Sequence, residues 1–157
     1  MTRSDRDTQE ALRNAIRALD RQAVHLERNL AAVHLPPRLD DLEELDHFEA
    51  LTARFGRLQD MLLAPFRLIA MLELEERRLE RVRDLLNFME KLGIVPSAAD
   101  WLAMRRVRNA IAHEYWQDVE QLRGLLELAA RYSRDLITTL ARAKAHAAEK
   151  LGITFGL

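Results

Sequence analysis

An all-α fold is what this sequence predicts, on three observations. The 157 residues include only five glycines and four prolines. Ala, Leu, Glu and Arg, all good helix formers, dominate, while runs of β-branched residues are few. Apolar residues recur at steps of three and four over long stretches, the period of one helix face.

The first stripe is Leu12, Ile16, Leu19, Ala23, Leu26, Leu30 and Val33, which draws a long helix ending before Pro36-Pro37. A second helix is expected from Asp40 or Asp41, whose carboxylates suit the positive end of the helix dipole. It carries Leu51, Phe55, Leu58 and Leu62 inward, with a kink or break at Pro65. The acidic run Asp40 to Asp46 reads as that helix start and a solvated face. A third helix is expected from about Glu75 to Leu92 through Leu79, Val82, Leu86 and Met89, stopping at Gly93 with Pro96 beyond it. Ser97 followed by Asp100 three residues later resembles a capping box that opens a fourth helix. The fifth spans about Asp118 to Leu151, places Val119, Leu122, Leu126, Ala129, Leu136 and Leu140 on one stripe, and ends at Gly152. Long helices with short connections favour antiparallel neighbours, so the expected architecture is an up-and-down bundle of four or five helices in a single domain, 1–157.

Composition narrows the chemistry. The absence of cysteine removes disulfides, thiolate metal sites and thiol nucleophiles, and fits a reducing compartment. The polar start MTRSDRDTQE, and an apolar run from Met61 to Leu74 that Pro65 and Arg67 interrupt, predict neither a signal peptide nor a membrane span. A cytoplasmic protein is therefore expected. Formal net charge is −1 although 31% of residues are charged, so any polyanion site must be a local patch.

Such a patch stands in the fourth helix, in RVRNAIAHEYW, Arg106 to Trp116. At about 100° per residue, Arg108, Ile111 and Tyr115 share one stripe, and Asn109, His113 and Trp116 the adjacent one. His113 is an imidazole, the side chain suited to proton transfer, and Arg108 is a planar cation suited to a phosphate. Asn109 can donate to a phosphate oxygen or orient a ring nitrogen. Arg105 and Arg106 thicken the local positive charge and are weaker substrate-binding candidates. Arg108 and His113 lie about 140° apart around the helix axis, so their side chains converge only by the arginine's reach or with a second chain's help, a spacing that hints at a site shared between two subunits. Outside the motif, Arg57 and Asp60 read as an intrahelical ion pair at three-residue spacing rather than as cleft residues. His25, His34, His47 and His146 read as structural or surface residues, and no acidic cluster with metal-ligand spacing accompanies the motif.

Arg108, His113 five positions later and Tyr115 two beyond that, with polar Asn109 just after the arginine, resemble the signature of the HEPN superfamily in its HepT-type toxin branch. Among the five histidines, only His113 has an arginine five positions before it and a tyrosine two after it. FGRLQDML, Phe55 to Leu62, and LGIVPSAADWLAMRRVRN, Leu92 to Asn109, resemble the family's second helix and the approach to its motif. The resemblance spans about Asp40 to Tyr132. It implies a HEPN-like bundle and a homodimeric endoribonuclease needing neither metal nor other cofactor. Arg108, His113 and Asn109 would be catalytic in a cleft between subunits, with RNA as substrate. It also implies a companion minimal nucleotidyltransferase that silences the toxin by adenylylating Tyr115. The alternative is a non-catalytic subunit presenting a nucleotide or substrate to that nucleotidyltransferase.

Overall fold

The computed structural model describes residues 1–74, 79–114 and 118–156, and these build a bundle of five helices: α1 (Arg3–Ala32), α2 (Leu42–Leu74), α3 (Val82–Lys91), α4 (Ala98–Glu114) and α5 (Val119–Lys150). Side-chain pairs fix the helix directions. Between α1 and α2, Asn29 accepts from Arg54 and, at the connection, Glu44 accepts from the His34 amide, so later residues of α2 meet earlier residues of α1 and the pair is antiparallel. Lys144 of α5 reaches Asp20 at 2.9 Å, and Arg13 donates to the Thr154 carbonyl just past α5, which sets α5 antiparallel to α1 as well. Phe55 stacks on Tyr132 and His146 meets Glu73, so α2 and α5 run the same way. Asp60 meets Arg108 while Gln59 meets Trp101, with Phe48 near Ile111 at the far end, which places α4 antiparallel to both. The four long helices thus alternate up and down around one core, with the short α3 closing its end.

The expected inward residues of α1 from Leu12 to Leu30 are buried, as are Leu51, Phe55, Leu58 and Leu62 of α2. Capping agrees with the sequence at three places. Asp41 Oδ1 accepts from the Glu43 and Glu44 amides, Ser97 Oγ from the Asp100 amide, and Asp118 from the Glu120 and Gln121 amides. Gly93 has φ of 77°, and around it the Gly93 amide returns to the Glu90 carbonyl and the Ile94 amide to Met89, the double return that ends a helix on a left-handed residue.

Four expectations are corrected. α2 does not break at Pro65 but continues to Leu74, because Pro65, Phe66, Ile69 and Ala70 are all buried and their packing outweighs one lost ladder bond. The third helix begins at Val82 rather than near Glu75. Residues 75–78 lie outside the described residues, and Leu79 precedes the helix, half-buried against the core. Val119 is exposed, because Asp118 is the cap and the first residue of α5 points away from the core. The acidic run is not wholly solvated: Glu44 is buried and close to both the His34 amide and its ring Nδ1, the latter at 3.3 Å.

Candidate functional site

α4 starts on Ser97, buries Trp101, Met104, Val107 and Ile111 against the core, and so turns the residues between them toward its neighbours and solvent. Arg108 falls at the seam with α2, its side chain 25% exposed. Its Nη1 donates to Asp60 Oδ1 and its Nη2 to Asp60 Oδ2, each at 3.0 Å, a fork-on-fork pair. Nη1 also donates to Gln59 Oε1 at 3.0 Å. Gln59 is buried, and its Nε2 donates to the Trp101 carbonyl at 2.8 Å, which commits the amide nitrogen and leaves the oxygen for the arginine. Two consecutive residues of α2 therefore hold one guanidinium by three bonds. Gly56 lies one turn earlier, and a Cβ there would sit 2.7 Å from Arg108 Nε, so the arginine crosses α2 where α2 has no side chain. Arg105 approaches the same carboxylate more loosely, at 3.9 Å from Asp60 Oδ1.

Arg108 and Asn109 stand on the edge of a groove of about 430 Å³ between α2, α4 and α5. Its lining is mainly apolar, with buried Phe48, Ile111 and Leu126 among its walls. Ala112 lines the α4 side with a small side chain, so the groove stays open past Ile111. Its polar lining is Glu49 and Thr52 from α2 and Arg108 and Asn109 from α4, and a volume of this size suits a ring-sized group whose anionic substituent meets the arginine.

The motif residues are only partly gathered. Arg108 and Asn109 share the groove. His113 is exposed in the last turn of α4 and is not among the groove residues. Arg106 is exposed on the outer face of α4. Tyr115, together with Trp116, lies outside the described residues. His146, expected as structural or surface, is mostly buried and bonds Glu73 at 2.7 Å across α2 and α5, which makes it structural.

The expected pair between Arg57 and Asp60 does not form. Arg57 is exposed, and the Asp60 carboxylate turns instead to Arg108, because a half-buried guanidinium offers it a two-bond geometry that a flexible surface neighbour does not. Gln59 and Gly56 went unread in the sequence. Gly56 carried a signal, since a glycine amid strong helix formers costs about 1 kcal/mol and marks a close approach.

Among the described residues, no group of three or more His, Asp or Glu side chains is placed to hold a metal ion. No described helix is long and apolar enough to cross a membrane. No protein-family model, curated protein or solved structure matches the chain. Fold and site on their own define an all-α bundle that presents a held arginine at the edge of an apolar groove.

Proposed function

We propose that this chain is a metal-independent endoribonuclease of the HEPN type, a HepT-like toxin acting as a homodimer. Arg108 carries the reading. An arginine held by three side-chain bonds beside an apolar groove is a pre-oriented cation for a phosphate whose flanking base occupies the groove. In the reaction, His113 takes the proton of a ribose 2′-hydroxyl as that oxygen attacks the adjacent phosphorus. The bond from phosphorus to the 5′-oxygen breaks, and the His113 imidazolium formed in the first step gives its proton to the leaving oxygen. Arg108 offsets the charge of the five-coordinate transition state, with Asn109 orienting the phosphate. The products are a 2′,3′-cyclic phosphate and a 5′-hydroxyl. The exposure of His113 away from the groove of its own chain supports completion of the site by a second copy.

In this reading a companion nucleotidyltransferase silences the toxin by adenylylating Tyr115, since a phosphate carried two residues after His113 would compete for Arg108 and crowd the cleft. The second reading, a subunit that binds nucleotide or substrate for the nucleotidyltransferase without cleaving, is favoured by one observation: Asp60 already neutralises Arg108 within the chain.

Cleavage of a defined RNA in excess EDTA separates them. The ribonuclease reading expects wild-type cleavage leaving cyclic phosphate ends, and losses of at least about a hundredfold for Arg108→Ala and His113→Ala, the scale of one positioned donor or one general base. Folded wild-type dimer that leaves tRNA and mRNA intact would hand the site to the binding subunit.

A further inference from the structure

Which part of the Arg108 guanidinium is left to meet a ligand can be counted. Arginine has five N–H donors. Asp60 takes one from each Nη, and Gln59 takes the second of Nη1. Among the described residues, no acceptor meets the Nε–H or the second Nη2 hydrogen, and these two point off the same edge of the planar group. That edge lies against Gly56: the three atoms nearest to a Cβ built there are Nε, Cζ and Nη2, at 2.7, 3.1 and 3.1 Å. Gly56 and Arg108 both line the groove, and because Gly56 has no side chain this edge can pass over α2 at the groove wall.

We propose that Gly56, Gln59 and Asp60 form a mount that turns the Nε/Nη2 edge of Arg108 into the α2/α4/α5 groove as a two-donor seat for one phosphodiester oxyanion. The proposal rests on the reading of the groove as an RNA site and deepens it. Asp60 and Gln59 are positioning residues. They touch no substrate; they fix the plane of the guanidinium, so its remaining two donors meet two phosphate oxygens without the rotamer entropy of a free arginine. Gln59 couples the mount to the core, because its amide also holds the Trp101 carbonyl in the first turn of α4. The mount accounts for a glycine inside α2, for a carboxylate beside a phosphate-binding cation, and for a buried glutamine pointing at a seam.

The carboxylate gives the test a sign. A mere counter-charge at Asp60 would repel RNA and weaken the cation, so its removal would tighten polyanion binding. A mount predicts the opposite. The measurement is fluorescence anisotropy of a labelled single-stranded 2′-O-methyl RNA, which lacks the attacking hydroxyl and so reports binding apart from cleavage. The set is wild type, Arg108→Ala, Asp60→Ala, Gly56→Ala and the double variant Asp60→Ala/Arg108→Ala, each checked for wild-type helicity. Asp60→Ala is expected to weaken binding about threefold to tenfold despite its lost negative charge, with no weakening when Arg108 is already alanine, the mark of two residues acting as a unit. Gly56→Ala improves helix propensity, so it keeps the fold while its methyl displaces the guanidinium, and it is expected to weaken binding to a similar degree. Tighter binding by Asp60→Ala, equal effects in both backgrounds, or binding that Arg108→Ala leaves untouched each overturns the mount. A wild type that binds this probe through Arg108 yet leaves unmodified RNA uncut overturns the ribonuclease reading and not the mount.

Discussion

Asp135 on α5 shows how a single side chain records the bundle around it. Its carboxyl is raised above the ordinary value of 3.8, first by burial; Arg131 pulls it down, Asp100 of α4 adds to the rise, and Arg142 lowers it. A carboxylate raised on folding binds its proton more tightly in the native state, so the native state loses stability as pH climbs from the unfolded value through the folded one. Asp135→Asn removes the ionisation and is expected to be more stable than wild type at pH 7, with the difference shrinking as pH falls below the ordinary carboxylate range. Urea midpoints at pH 7 and near pH 3 check it, and a constant difference at both would refute it. The same scale explains what the sequence hid at the candidate site. Arg108, Asn109 and His113 were visible as an unusual polar set on a helix, but the partner of Arg108 stands 48 residues away. Local spacing offered Arg57 to Asp60, and only the crossing of α2 and α4 supplies the better acceptor geometry.

At the scale of elements, helix identity was legible wherever a periodic face ended on chemistry that stops a helix, as at Gly93 and Gly152, both with positive φ. It failed where tertiary packing overrode a local rule. Pro65 carries no N–H, yet the buried residues beyond it hold α2 in register. The late start of α3 has a local cause: its N-cap is Arg81, extended at φ −75° and ψ 131°, and no side chain caps the first turn. Thr2, Asp41, Ser97 and Asp118 serve the other four helices. Arg81 also places a cation at the positive end of the dipole. Arg81→Ser, at an exposed position, is therefore expected to stabilise the fold by about 1 kcal/mol, read from the denaturation midpoint at unchanged slope. A change of zero or below would mean that the α3 entry is held by contacts of the arginine stem rather than left uncapped.

For the whole molecule, the up-and-down order is what sends Arg108 and His113 to different surroundings. The antiparallel contact of α4 with α2 draws Arg108 inward, while His113, in the last turn of α4, is exposed. Five residues apart on one helix, the two groups lie about 140° apart and converge on one phosphate only through the arginine's reach or with a second chain, so the proposed reaction is a statement about assembly. In the proposed two-fold dimer each site would take its arginine from one subunit and its general base from the other. Arg108→Ala and His113→Ala homodimers are then both inactive for different reasons. Random reassortment of equal amounts makes half of the dimers mixed, and each mixed dimer has one site with both groups intact and one with neither. Mixing after mild dissociation is therefore expected to restore about a quarter of wild-type cleavage. If arginine and histidine of the same chain served one site, every site in the mixture would lack one of them and activity would stay at the level of the parents. Cleavage rates before and after mixing, with dimer mass confirmed by light scattering, decide between the two arrangements.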